Sequence, residues 1–82
     1  MRFELFLSLE ARQQLRDLRD DVRRNIGHRL QLLQSDLSGD VKKLEGQNSR
    51  YRLRVGNHRI LFRLDGARIE VYAVKQRKNA YE

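Results

Sequence analysis

The chain has 82 residues, of which 39% are hydrophobic and 35% charged. This length supports one compact domain with a thin core and excludes a multi-domain enzyme. There is no cysteine, and two isolated histidines do not make a conventional zinc site, so we expect neither disulfides, nor a metal, nor another cofactor. No apolar run approaches the ~20 residues of a membrane span, and Glu4 lies where a signal peptide is basic and then apolar. We therefore expect a protein of the reducing cytoplasm that does not contact a membrane.

The net charge of +7 is distributed unevenly along the chain. Residues 1–36 carry seven basic and six acidic side chains, whereas residues 50–82 carry nine basic and three acidic ones. A basic excess concentrated in one segment favours a polyanionic partner. A solvated basic face with no partner is the alternative.

The first half of the chain predicts a strand followed by helices. Apolar residues alternate over 2–7, which is the pattern of a short strand, and Ser8 is an N-cap candidate. From 11 to 37 the apolar residues recur every three or four positions and form a single helical stripe. The cluster at 19–21 offers a break with an aspartate as cap, so we predict two helices; one long helix is the alternative.

The second half predicts a three-stranded antiparallel meander after a connector at 41–48. Two turn signals, Gly56-Asn57 and Asp65-Gly66, indicate two-residue hairpin loops. The first loop places Arg54 opposite Arg59 and Arg52 opposite Leu61. The second loop places Arg63 opposite Arg68, Leu61 opposite Glu70 and Arg59 opposite Tyr72. The expected fold is a single α+β domain over residues 1–82, with both helices packed on one face of a small sheet.

Period-two alternation sorts the side chains of the meander onto two faces. The face predicted to receive the helices carries Tyr51, Leu53, Val55, Ile60, Phe62, Leu64, Ile69, Val71 and Ala73. The opposite face carries Arg52, Arg54, Arg59, Leu61, Arg63, Arg68, Glu70, Tyr72 and Val74.

Three arginines on the second face form a candidate phosphate site. Arg54 and Arg59 are direct cross-strand neighbours, and Arg52 lies two residues away, with no carboxylate predicted beside them. Like charges placed directly opposite destabilise a sheet by about 0.2–1 kcal/mol. A phosphate that bridges the guanidinium groups removes this repulsion and fits their bidentate geometry. The alternative is an arginine-rich edge that only discourages the stacking of sheets.

Two further side chains are candidates for a chemical role. Tyr81, in the basic tail after the last strand, is suited to stacking on a base or to proton transfer; a frayed terminal residue is the alternative. His58, beside the first turn, is a candidate because imidazole titrates near neutral pH. Its parity points toward the core, and a structural or surface role is the more common one for such a histidine. His28, on the second helix, is expected at the surface.

Several runs of the sequence resemble the RelE/ParE superfamily of bacterial toxins. They are LEG at 44–46, YRLRVGNHRILF at 51–62 and VKQRKNAY at 74–81. The predicted order of strand, two helices and meander agrees with this family. The resemblance implies a compact cytoplasmic toxin that is neutralised by a cognate acidic, RelB-like antitoxin, with DNA contacted only through that antitoxin.

The resemblance is greatest to the RelE-like members, which cleave mRNA in the ribosomal A site. It implies a catalytic set made of Arg52, Arg54, Arg59, Arg77 and Tyr81. It also implies RNA contacts by Lys42, Lys43, His58, Lys75 and Lys78. The ribosome and mRNA are then the partners. The alternatives are a non-enzymatic inhibitor of DNA gyrase, as the ParE-like members are, and a simple basic module that binds nucleic acid.

The reaction implied by the resemblance is metal-independent endoribonuclease cleavage. A ribose 2′-OH attacks the adjacent phosphate, expels the 5′-oxygen and leaves a 2′,3′-cyclic phosphate. The arginines stabilise the charge on the phosphorane. Because arginine stays protonated, it is a poor general base, and that role is left to Tyr81, His58 or a ribosomal group.

Overall fold

A computed structural model describes residues 2–44, 46 and 49–76. The elements are β1 (Glu4–Leu7), α1 (Leu9–Arg16), α2 (Asp20–Asp36), β2 (Asp40–Lys43), β3 (Arg50–Val55), β4 (His58–Asp65) and β5 (Arg68–Gln76). The strands form one sheet in the order β1-β5-β4-β3-β2, in which β1 is parallel to β5 and the other pairs are antiparallel. The predicted α+β fold is confirmed. Neither helix is long and apolar enough to cross a membrane.

The break between the two helices is fixed by an arginine. The Nη1 atom of Arg23 donates to the carbonyl oxygens of Arg16 and Leu18, at 3.2 and 3.1 Å. The Arg16 carbonyl ends α1, where a helix has no internal donors left, and the Leu18 carbonyl lies in the link to α2. The prediction of two helices is confirmed, but the predicted aspartate cap is wrong. The N-cap of α2 is Arg19, which makes no side-chain cap bond, and the aspartates lie in the first turn, where they favour the helix dipole.

Both helices contribute to one core against the sheet. The buried residues of this core are Ala11, Ile26, Leu30, Leu33, Leu53, Val55, Ile60, Phe62, Ile69, Val71 and Val74. We call the sheet face that packs against the two helices the inner face and the opposite face the outer face.

The segment predicted as a connector begins with a strand. β2 pairs with β3 so that Asp40 lies opposite Arg54 and Lys42 opposite Arg52. Gly39 precedes this strand at φ +127°, where a Cβ atom would lie only 2.7 Å from Leu53 Cδ1. A strand of four residues contributes too few alternating positions to be recognised from the sequence.

The second hairpin has a different register from the predicted one. Its loop is Gly66-Ala67, so Asp65 rather than Arg63 lies opposite Arg68, and Arg63 lies opposite Glu70. Gly66 takes the positive φ of 60° that such a tight loop requires. A shift of two residues does not change which face a side chain occupies, so the faces predicted near this turn are correct.

A β-bulge further along β5 does change the faces. Phe62 is opposite Val71 and Leu61 is opposite Ala73, so Tyr72 is the extra residue of the bulged strand. The predicted places of Ala73 and Val74 are therefore exchanged. Val74 joins the core on the inner face, and Ala73 lies on the outer face.

The hairpin register and the bulge together change two predicted cross-strand pairs. Leu61 lies opposite Ala73 rather than Glu70, and Arg59 lies opposite Lys75 rather than Tyr72. Of this displacement of three residues, two come from the register of the second hairpin and one from the extra residue in β5. Lys75 is thereby placed beside Arg59.

Helix α1 holds the edge of the bulge. The strand β1 pairs with β5 only as far as Val71, whose carbonyl oxygen accepts from the Ser8 amide at 2.9 Å. Beyond it, the Ser8 hydroxyl donates to the carbonyl oxygen of Tyr72 at 3.3 Å, and the Val74 amide donates to Gln14 Oε1 at 2.6 Å. Side chains of α1 thus replace the missing strand.

We predict that Gln14→Ala destabilises the protein by about 1–3 kcal/mol, because the Val74 amide loses its acceptor at a part-buried site. Urea denaturation measures this change. Gln13→Ala is the matched control, since Gln13 has an exposed bond to Asp17 on the same helix. Equal losses in the two variants would mean that the bond to Val74 does not stabilise the bulge.

Candidate functional site

Basic side chains from four strands meet on the outer face. Asp40, Arg54, Arg59 and Lys75 succeed one another across β2, β3, β4 and β5. The next row toward the second hairpin contains Lys42, Arg52, Leu61 and Ala73. We call the set Lys42, Arg52, Arg54, Arg59 and Lys75 the cationic face. The predicted pairs of the first hairpin, Arg54 with Arg59 and Arg52 with Leu61, are confirmed.

Arg52 is held by the edge strand. Its Nη1 atom lies 3.1 Å from the carbonyl oxygen of Asp40 and 3.3 Å from Asp40 Oδ1. The Arg52 side chain is 16% exposed, whereas that of Asp40 is 58% exposed. The expectation that no carboxylate lies beside these arginines was therefore wrong, because β2 was not predicted. A guanidinium has five N–H donors, so these contacts fix the group without using all of its donors.

Arg54 and Arg59 keep the mutual repulsion that their register implies. Asp40 lies directly opposite Arg54, but its carboxylate is bonded to Arg52. Within the described part of the chain, no carboxylate is within 4.0 Å of the guanidinium of Arg54 or Arg59. Lys75, opposite Arg59, adds a third positive charge. This end of the outer face is suited to bind an anion.

The arginines near the second hairpin have a carboxylate or an aromatic ring beside them. Arg63 lies opposite both Arg50 and Glu70, and Arg68 Nη2 is 3.7 Å from Glu70 Oε2. The guanidinium of Arg68 stacks over Phe6 at 4.5 Å from the ring centroid, and that of Arg50 over Tyr72 at 5.4 Å. Cation–π contacts of this kind stabilise a cation. The pair of Arg54 and Arg59 instead has Lys75 as its neighbour.

Two of the predicted RNA contacts lie away from the cationic face. His58 is opposite Val55 and lines an inner-face pocket with Val22 and Asn25 of α2. Its Nε2 atom is buried and has no hydrogen-bond partner among the described residues. Lys43, opposite Tyr51, has the parity of the inner face but is exposed at the sheet edge.

The remaining predicted residues divide into two groups. Lys42 and Lys75 join the cationic face through their register with Arg52 and Arg59. Arg77, Lys78 and Tyr81 lie outside the residues that the structure describes. Asp40 was missed by sequence reasoning. The pair Gly39-Asp40 before an apolar residue was the available signal, since it resembles a turn before a short strand.

We predict that Asp40→Asn raises the affinity for single-stranded RNA about two- to fivefold at low salt, because it removes a negative charge beside the basic row. Asparagine keeps an acceptor for Arg52 and preserves the backbone contact. Fluorescence anisotropy with a labelled oligonucleotide measures the affinity. Asp65→Asn changes the net charge equally at the far end of the same face; an equal gain there would attribute the effect to net charge alone.

Comparisons with known proteins agree with this fold. The model of the family described as "ParE toxin of type II toxin-antitoxin system, parDE" matches residues 5–81. The chain is also similar to Toxin RelE3 of Methanocaldococcus jannaschii, with 42% identity over 48 residues. That match covers 58% of this chain and 54% of the relative, so it spans about half of the relative's length.

Solved structures share the fold, among them three that cover more than 90% of this chain. The RelE toxin in the RelB-RelE antitoxin-toxin complex from Methanococcus jannaschii is 28% identical with a TM-score of 0.79, covering 93% of this chain and 94% of that one. The archaeal RelE-RelB complex from Pyrococcus horikoshii OT3 gives 23% identity and a TM-score of 0.81, covering 98% and 100%. A mutant of the E. coli toxin RelE in the free state gives 18% and 0.83, covering 98% and 88%.

Proposed function

The chain belongs to the ParE toxin family of type II toxin-antitoxin systems, within the RelE/ParE superfamily, and on this premise we propose that it is a toxin that cleaves mRNA in the ribosomal A site. The observation that carries this proposal is the cross-strand pair of Arg54 and Arg59, which has no carboxylate partner within the described residues. Repulsion of this kind weakens the sheet, so a role in binding an anion accounts for it better than a role in stability.

The proposed chemistry places the scissile phosphate on the cationic face. Arg54, Arg59 and Lys75 neutralise the charge that develops on the phosphorane when the 2′-OH attacks. Arg52, fixed by Asp40, orients a phosphate oxygen with its remaining N–H groups. Cleavage by this route forms a 2′,3′-cyclic phosphate without a metal ion.

The general base in this proposal is Tyr81 or a ribosomal group. Arginine is too basic to take a proton at neutral pH. His58 lies on the inner face, with the sheet between it and the arginines. Arg77 and Tyr81 complete the proposed catalytic set from the tail that follows β5.

The proposed partners are the ribosome, mRNA and an acidic RelB-like antitoxin. Four of the structural neighbours are RelB-RelE or RelBE antitoxin-toxin complexes. A partner rich in carboxylates complements the cationic face, and electrostatic complementarity of this kind speeds association and selects the partner. DNA is contacted only through the antitoxin, and all these encounters take place in the cytoplasm.

Inhibition of DNA gyrase is the second candidate function. The family model that matches residues 5–81 is the one named for ParE toxins, and this favours the alternative. The two candidates differ in what the arginines do. An inhibitor that only binds its target needs no base and no in-line geometry on a phosphate.

We predict that the wild-type protein cleaves translated mRNA in the A site and that Arg59→Ala lowers the single-turnover rate by about 100-fold or more. The reason is the loss of one electrostatic donor at the phosphorane. Toeprinting in a purified translation system measures the cleavage. The melting temperature of Arg59→Ala should stay equal or rise, because the cross-strand repulsion is removed.

Arg63→Ala is the matched control for this experiment. Arg63 lies on the same strand and face and is likewise opposite an arginine, Arg50, but it has Glu70 on its other side. Its loss should leave cleavage within a fewfold of wild type. Absence of cleavage, together with inhibition of gyrase supercoiling by the same preparation, would favour the second candidate.

We predict that Tyr81→Phe lowers single-turnover cleavage on the ribosome by about 100-fold while changing binding little, because the ring remains and the hydroxyl is lost. Tyr81→Ala is the comparison, since it removes the stacking surface as well. Wild-type rates in Tyr81→Phe with a loss only in Tyr81→Ala would assign the proton transfer to the ribosome and leave the residue as a stacking platform.

A further inference from the structure

A pocket of about 540 Å³ lies at the edge of the cationic face, where α1 begins beside β5. It is lined by apolar, aromatic and charged side chains, among them Leu9, Glu10, Leu61, Tyr72, Ala73 and Lys75. Lys75 belongs to both the pocket and the cationic face, and it lies opposite Arg59. The pocket is therefore continuous with the proposed phosphate site.

The floor of the pocket is apolar although the surrounding outer face is charged. The bulge at Tyr72 turns Ala73 onto this face, directly opposite Leu61. Leu61 is 2% exposed and Ala73 is 3% exposed. Because these two side chains are almost completely covered, the accessible apolar surface of the pocket belongs to Leu9 and Tyr72. Apolar surface beside a row of cations is suited to a ligand that has an apolar part next to a phosphate.

The rim of the pocket is a fixed part of α1. Leu9, the first residue of the helix, is 86% exposed, which is unusual for so large an apolar side chain. Its position is set by Ser8, whose hydroxyl accepts from the Ala11 amide at 3.0 Å and whose amide donates to Val71. Glu10 follows it and accepts from Gln14 Nε2 at 3.4 Å. The rim thus presents an apolar surface beside a carboxylate.

We propose that this pocket receives a base of the RNA strand whose phosphate lies on the cationic face. The inference rests on the proposed function, because the phosphate site is what brings the strand to this edge. Every nucleobase has an apolar face that stacks on aromatic and apolar side chains. Leu9 and the edge of Tyr72, whose ring already stacks with Arg50, supply such surfaces. Lys75 supplies the charge for the adjoining phosphate.

Glu10 gives the pocket a preference among bases. A carboxylate only accepts hydrogen bonds, and it pairs with exocyclic amino groups such as N4 of cytosine. Adenine, cytosine and guanine carry such a group. Uracil has only carbonyl oxygens at its exocyclic positions, which a carboxylate repels, and its single ring donor on that edge, N3–H, lies between them. We expect the pocket to select against uracil.

The test is a binding measurement that does not depend on cleavage. Trinucleotides with 2′-O-methyl riboses cannot undergo attack by the 2′-oxygen, so they serve as stable probes. Each position in turn is made abasic or carries A, C, G or U, and binding to the full chain is followed by titration. In the wild type, an abasic residue at one position should weaken binding about fivefold or more.

Two variants with matched controls locate the effect. Leu9→Ala should reduce the abasic penalty to less than twofold, whereas Leu32→Ala, another exposed leucine on α2, should keep it. Glu10→Gln should abolish the discrimination against uracil, because an amide both donates and accepts. Glu4→Gln removes the same charge from β1 and should keep the discrimination. Thermal melts establish that each variant is folded.

The outcomes separate this inference from the proposed function. Three results would overturn the pocket: trinucleotides that do not bind, an abasic penalty below twofold at every position, or a penalty that Leu9→Ala leaves unchanged. Cleavage in toeprinting with any of these results rejects the pocket alone. If the wild type discriminates among bases, Glu10→Gln removes this discrimination, and the wild type does not cleave mRNA, then the pocket is supported and the proposed nuclease function is rejected.

Discussion

The β-bulge at Tyr72 determines which side chains reach the outer face. Without it, Lys75 would have the parity of the core and Val74 would point away from the helices. With it, Val74 packs in the core and Lys75 lies beside Arg59. The bulge depends in turn on α1, because Gln14 accepts from the Val74 amide where β1 no longer reaches. The packing of α1 against β5 therefore also determines where the cations of the outer face lie.

The outer face separates compensated from uncompensated charge. Near the second hairpin, Glu70 lies beside Arg63 and Arg68, and the rings of Phe6 and Tyr72 stack with Arg68 and Arg50. Near the first hairpin, the single carboxylate provided by β2, that of Asp40, is committed to Arg52. The repulsion between Arg54 and Arg59 costs about 0.2–1 kcal/mol. The domain tolerates this cost because it is small beside the total free energy of folding. The end of the sheet near the second hairpin is thus stabilised by its own contacts, whereas the end near the first hairpin is suited to bind an anion.

The sequence predicted the parts of the structure that long periodic patterns specify. The helical stripe and the alternation around Gly56-Asn57 determine the inner face and the pairing of Arg54 with Arg59. The strand β2 was missed because four residues with one core-facing side chain, Val41, carry almost no period. The bulge was missed because it depends on hydrogen bonds from Ser8 and Gln14, which the alternation of residues within β5 does not indicate.

In the proposed function, RNA and antitoxin relieve the same electrostatic repulsion. Any ligand that binds the folded chain and not the unfolded one raises its stability by mass action. An acidic antitoxin that brings carboxylates to Arg54 and Arg59 therefore stabilises the toxin and blocks the phosphate site through a single interaction. The apolar rim of the pocket at Leu9 is different, because that side chain is 86% exposed and charge alone does not cover it. A competitor that lacks an apolar group for this pocket leaves the base site empty while it neutralises the arginines, so charge and shape make separable contributions to recognition on this face.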